Sequence, residues 1–419
     1  MSVAATVPPV ANTSTFASLR VANFRRFFIG QSISQVGNWL TVLAQSLLIL
    51  HLTGSGFAVG LLTAALCGPV LLFGPMAGLI ADRVDKRKLL IGVQSAAMVQ
   101  SLLLALVAFS DDPSIPAIFV LAFMGGVLTA LDNPARRSIV VEMVPVESVN
   151  NAVSINSALM TGSRIIGPAI AGGLIATVGY GWCFLIDGIS YIAVLIAFAR
   201  MNPAEFRRAE APAPGKGQVR AGLRYVRNEP VLWVPLVMAT IIGTFTFNFS
   251  VVLPLLVVDS FGGTDTTFTT LLSVLSIGSF VSALALGRRA VVPLRHVWVA
   301  AAAFGVSMLG LAAAPSMAIA YPIAVLIGAS SIAFMVSSTA IVQLNADPSM
   351  RGRVLALQAM VFLGTTPIGG PILGAICEWI DPRAGVALGA VAALVAAAYG
   401  WSRDPDRITP RLYRSAPAA

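Results

Sequence analysis

GLIADRVDKRKLL, residues 78–90, joins two long uncharged runs. Residues 58–81 before it and 89–110 after it contain no Asp, Glu, Lys or Arg. Each run exceeds the roughly 20 apolar residues that a helix needs to cross a bilayer. The charged stretch between them is therefore predicted to be a turn at a membrane surface. Arg83, Lys86, Arg87 and Lys88 crowd this turn, and short loops rich in Lys and Arg stay on the cytoplasmic side. Asp82 is the odd member, an acid at a helix C-terminus where the backbone already carries partial negative charge. Such a residue costs stability unless a cation or another helix's N-terminus compensates it, and topology alone has no need of it.

Composition extends this reading to the whole chain. Hydrophobic residues make up 57% of the 419 and charged ones 11%, against roughly 25% charged in soluble domains. Mean hydropathy is +0.85, which only a multi-spanning membrane protein fits. The net charge of +9 is not read as a nucleic-acid footprint, because the basic residues sit in turns between apolar runs and not along one face. Residues 1–23 lack an apolar core behind a basic start, so no cleavable signal peptide is expected and the N-terminus is placed in the cytoplasm. Cys67, Cys183 and Cys377 lie in or beside apolar runs at no metal-ligand spacing, and His51 and His296 stand apart. No metal site, cofactor or catalytic group is expected.

Twelve spans are predicted, over residues 27–52, 57–81, 89–110, 115–131, 151–178, 182–200, 231–258, 268–286, 297–314, 318–343, 354–379 and 385–401. An even number returns the C-terminus to the cytoplasm. The basic residues test this, since the spans were drawn from apolar runs alone. Of 27 Lys and Arg, 25 fall in segments assigned to the cytoplasm, leaving Arg164 inside a span and Arg383 outside. The segment 201–230 divides the chain. It begins Pro- and Ala-rich and ends in QVRAGLRYVRNEP, which is expected to lie as an amphipathic helix on the membrane face. The expected layout is a cytoplasmic segment 1–26, six-helix bundles 27–200 and 231–401, the central loop 201–230 and a cytoplasmic tail 402–419. A shift of 203 residues lays Pro145 on Pro348, Gly167 on Gly370 and Pro168 on Pro371, so IIGPAIAG in the fifth span matches IGGPILG in the eleventh. Parallel six-span repeats with substrate bound between them are a common transporter design.

These residues resemble the major facilitator superfamily along the whole chain, and most of all its bacterial exporter branch of enterobactin and macrolide efflux proteins. GLIADRVDKRKLL is similar to the superfamily's loop signature, with Asp85 in place of a second Gly. LDNPARRSIVVEMVP at 131–145 and SRIIGPAIAG at 163–172 also look like that branch. The resemblance implies an all-α fold of twelve transmembrane helices in two pseudo-repeats. It also implies that Gly78, Asp82, Arg83, Lys86 and Arg87 form a charge relay clamping helix ends in the outward-facing state. Gly167, Pro168 and Gly172 match a fifth-helix motif of antiporters, except that three residues, not two, separate Pro168 from the Gly pair.

Polar residues inside spans are functional candidates, because a charge in the bilayer costs several kcal/mol unless it is paired or meets water. Arg164 is the first, with a structural pairing as the alternative. Asp187 could carry a proton, face water near the outer edge, or pair with Arg164. Asp132, at the end of the fourth span, is read as a cap or partner for Arg136 and Arg137, or as a coupling group. Gln31, Gln35 and Asn38 share one face of the first span with Gln45 and look toward water, ligand or neighbouring helices. Exporters of the branch often carry an acid near Asn38, so the amide argues against proton coupling through this helix. Phe245, Phe247 and Asn248, with Gln343, are candidate walls of a cavity for a large amphipathic substrate.

The leading expectation is a monomeric, proton-coupled exporter of amphipathic drugs or siderophores, working by alternating access in the plasma membrane. No GxxxxGK[ST] occurs, so ATP hydrolysis is disfavoured. An uptake carrier for a metabolite would favour a compact site with fixed charge pairs. A membrane enzyme would gather His, Asp or Glu at one interface, and a receptor would carry a sizeable domain; neither feature is visible.

Overall fold

The protein is described here from a computed structural model covering residues 16–207, 218–286, 293–347 and 350–404. Among these residues every regular element is a helix, and twelve segments are long and apolar enough to cross a membrane. The first six are single helices: α1 (Ala22–Thr53), α2 (Gly56–Arg83), α3 (Lys86–Ala108), α4 (Ile115–Glu142), α5 (Val149–Val178) and α6 (Tyr180–Ala199). A shorter helix, α7 (Gln218–Asn228), precedes the rest. These are α8 (Pro230–Phe245), α9 (Phe249–Leu255), α10 (Asp265–Leu286), α11 (Leu294–Ala312), α12 (Met317–Asn345), α13 (Arg351–Gly364), α14 (Thr366–Trp379) and α15 (Pro382–Ser402).

Local chemistry sets these boundaries. Gly54 closes α1 in the left-handed region at φ 61°, where a side chain would be strained, and Ser55 accepts from the Ala58 N–H to cap α2. Asp85 caps α3 by accepting from the Lys88 N–H at 3.1 Å. Asp85, where the resemblance would place a second Gly, is thus a helix-starting acid.

Three expectations about element boundaries are corrected. The fourth span was expected to stop at residue 131, but α4 runs through Pro134 to Glu142. Asp132 and Arg136, one turn apart, form an ion pair that continues the helical face past the proline. The seventh span is not continuous: it breaks at 246–248 between α8 and α9 and ends in a π turn, Leu256–Ser260. The eleventh is interrupted at Thr365, two residues before Pro367, which has no N–H to continue the helical ladder.

α7 is also placed differently. It does not simply lie on a membrane surface: Val226 is fully buried, Gly222 sits against Arg353 and Leu357 of α13, and the Tyr225 hydroxyl accepts from the Asp347 N–H at 3.0 Å.

Two groups of helices result. In the first, α1 packs on α5 and α6, α2 on α4, and α3 on α4 and α6. In the second, α10 and α11 pack on α12, and α15 packs on α8 and α11. α2 against α14 and α5 against α10 are the main contacts between the groups. The end of the molecule holding Ala22, the 84–85 turn and Ser402 is called the termini side below, and the opposite end the far side.

Candidate translocation site

The loop signature is tied into the first half. Lys86 Nζ meets Glu142 Oε1 at 2.6 Å. Arg87 donates to the last carbonyls of α6, from Nε to Phe198 at 2.7 Å and from Nη2 to Ala199 at 3.1 Å. A cation there offsets the negative end of the helix dipole. Gly78 faces open space and Arg83 is exposed; the side chain of Asp82 lies outside the described residues.

Deeper in the same half, a polar column links three helices. Gln31 Nε2 donates to Gln35 Oε1 at 3.2 Å, which also accepts from Arg136 Nη1 at 3.1 Å. Arg136 pairs with Asp132, and Asp132 Oδ1 accepts from Gln94 Nε2 at 2.7 Å. Asp132 is thereby occupied by Arg136 and Gln94.

Asp187 belongs to a separate cluster. It is 1% exposed, and its Oδ2 accepts from Thr41 Oγ1 at 2.7 Å and Ser101 Oγ at 3.0 Å, while Oδ1 has no hydrogen-bond partner. It is neither solvated at an outer edge nor paired with Arg164. Gly37 makes room for it, since a Cβ there would strike Oδ1.

Arg164 sits near the middle of α5, about 22 Å along the axis from either end at 1.5 Å per residue. Its guanidinium lies over the Trp39 ring of α1, 5.6 Å from the centroid. Gly167, one turn on, allows this, because a Cβ there would collide with Trp39. Gly167, Pro168 and Ala171 share the Arg164 face of α5 and are buried, whereas Ile166 and Ile170 on the opposite face are 52% and 42% exposed. Arg164 is itself exposed, so it looks between the halves and not into lipid. Asn38, beside Trp39, is exposed as well. Gly172 packs against Thr269 of α10 and closes the gap beyond.

The second-half candidates are dispersed. Phe247 is wedged among Phe249, Phe304 and Phe362, with ring centroids 5.3–5.9 Å apart. Asn248 is 2% exposed and donates from Nδ2 to the Thr244 carbonyl freed by the helix break, at 2.7 Å. Neither offers a free wall to a ligand. Phe245 is partly exposed, and Gln343 is exposed toward the termini side.

The halves meet on the far side. Gly56 and Gly60 of α2 cross Gly370 and Gly374 of α14 so closely that a Cβ on Gly60 or Gly374 would strike the opposing carbonyl. Glu378 accepts from Ser55 Oγ at 2.6 Å and from the Phe57 N–H at 2.9 Å, and Phe57 stacks on Trp379. Tyr180 donates to Asp265 at 2.5 Å across the α5–α10 seam. These hydrogen bonds between the halves all lie at this end. Toward the termini side this face of α2 loses its cover: a Cβ on Gly56 or Gly60 would strike α14, whereas one on Gly74 or Gly78 would meet nothing within 4 Å. Sequence reasoning missed this closure, although two GxxxG patterns, at 56–60 and 370–374, signal close helix crossings.

Residues 13–404 match the family model described as transmembrane secretion effector. The chain belongs to that family, within the major facilitator superfamily. Bacterial transport proteins are similar to it. The staphyloferrin A transporter of Staphylococcus aureus is 26% identical over 84% of this chain and 88% of its own. Macrolide efflux protein A of Streptococcus pyogenes is 25% identical over 83% and 87%. The enterobactin exporter EntS of Shigella flexneri is 27% identical over 52% and 53%. Among solved structures, a bacterial homologue of the lysosomal transporter Spinster, in an inward-facing and occupied conformation, has a TM-score of 0.72 at 15% identity, covering 94% of this chain and 98% of that one. A peptide transporter of the POT family reaches 0.75 at 11% identity, over 93% and 98%. The secretion effector family thus makes this chain a multi-pass membrane transporter for small molecules and not an enzyme.

Proposed function

We propose that the chain is a secondary-active exporter of amphipathic small molecules that works by alternating access in the plasma membrane, exchanging substrate for protons. The observation that carries this reading is the geometry of the gap. The halves are sealed by α2–α14 and α5–α10 at one end and part toward the other, with Arg164 and Asn38 exposed between them. The Lys and Arg distribution assigns the termini side to the cytoplasm, so this arrangement is the inward-open one.

Each half, 27–200 and 231–401, moves as a unit about the far-side seam. Lys86 and Arg87, now bound within the first half, exchange these partners for the second half when the cytoplasmic ends approach. Asp187 takes the proton: its Oδ1 is unpartnered, and it lies on α6 against Thr41 of α1 and Ser101 of α3, the helices that also carry Trp39 and part of the polar column. The named activities of the similar proteins, siderophore and macrolide export, support efflux as the direction.

The test uses purified protein in liposomes under an imposed pH gradient, with siderophores and macrolides added singly. Substrate-stimulated proton movement, opposite in direction to the substrate, is expected. Substrate crossing without protons would remove the coupling, and accumulation along the proton flux would make the chain an uptake carrier.

A further inference from the structure

Arg164 is a cation at mid-span with no carboxylate paired to it among the described residues. The buried acids of its half are committed elsewhere: Asp187 lies among α1, α3 and α6 on hydroxyls of Thr41 and Ser101, Asp132 is held by Arg136 and Gln94, and Glu142 by Lys86. Neither ion pair formed among the described residues involves Arg164, whose contact is the Trp39 ring. The indole fixes the guanidinium by its face and leaves the N–H edge unspent. An arginine presents five donors in a plane suited to a carboxylate or a similar oxyanion. A charge at this depth is costly unless water or a counter-ion reaches it. Water does so while the gap is open, but as the halves close over a bound molecule that water leaves, and the molecule must supply the counter-charge.

We infer that the transported molecule is an anion: a carboxylate or comparable oxyanion on an apolar or aromatic body, its charge on the outer edge of Arg164 and the body lying along Trp39. This rests on the exporter reading above, but it is narrower, because a cationic amphiphile would meet Arg164 as a like charge.

Two dyes built on one ring skeleton with opposite charge, carboxyfluorescein and rhodamine 6G, test it. Binding to the full chain in detergent is read by dye anisotropy, and movement is read in proteoliposomes. The wild type is expected to bind and move carboxyfluorescein and to leave rhodamine 6G. Arg164→Gln should weaken carboxyfluorescein binding about tenfold or more, as losing a charged hydrogen bond does. Arg164→Lys keeps the charge without the planar fork and should recover only part. Arg164→Glu should reverse the preference toward rhodamine 6G, a result that a merely structural arginine would not give. Unchanged carboxyfluorescein binding in Arg164→Gln overturns the inference, as does a wild type that moves only rhodamine 6G, which leaves the exporter reading in place. Arginine-dependent binding without movement upholds the anion site and overturns export. A protein that binds neither dye overturns the inference, and the exporter reading is then decided by the siderophore and macrolide flux assay above.

Discussion

Asp187 and Arg164 lie on neighbouring helices of one half and yet face apart, and their roles separate on that account. Asp187 is wrapped by Thr41, Ser101 and the backbone of Gly37. An Asn is nearly isosteric there and keeps the hydroxyl contacts through its carbonyl oxygen. Asp187→Asn is therefore expected to leave the thermal midpoint of the purified protein within a few degrees and to abolish substrate-stimulated proton flux in liposomes. A normal flux in this variant would remove Asp187 from the coupling. Both residues were legible in the sequence, because a charge inside an apolar run is rare and expensive. Their partners were not legible. Pairing depends on the rotation of each helix about its axis, which 20 apolar residues on every side leave undetermined. Trp39 carried no signal of its own, since an aromatic in a span equally suits lipid, core or ligand.

The broken spans show what hydropathy cannot report. A window average registers length and apolarity, and α8–α9 and α13–α14 satisfy both while departing from helical backbone near their middles. Asn248 and Pro367 mark the breaks, but polar residues and prolines also occur in unbroken membrane helices. α4 demonstrates this by passing through Pro134. The crossing of α2 and α14 is the counterpart on the far side, where four glycines replace side-chain packing with backbone contact. Gly60→Leu forces these helices apart by the width of a side chain. With Phe57→Cys and Trp379→Cys introduced as a reporter pair, disulfide formation is expected to be fast in the parent protein and to fall about tenfold or more when Gly60→Leu is added, because overpacking of this kind costs about 1–3 kcal/mol. Equal rates would show that the glycines do not hold the seam.

The fold class was readable because the bilayer restricts it: helices must be long and apolar, and basic residues favour one side. Which side is closed was not readable. The same apolar runs serve an inward-open and an outward-open molecule, and the difference lies in a few contacts between halves, such as Glu378 with Ser55 and Phe57. Glu378 is exposed, so its bonds are worth little individually. Glu378→Gln is expected to shift the balance about two- to fivefold toward the state open on the far side, the range of an exposed charged contact. Distances between spin labels on α2 and α14 would measure this, and an unchanged distribution would assign the closure to the glycines alone. α7 bears on the joint between the halves. Its described contacts, through Gly222, Tyr225 and Val226, are with the second half, so it travels with that half as an outrigger. α7 is thus a brace built into the second half, and a chain severed between Arg207 and Gln218 would leave that brace attached to the helices it steadies.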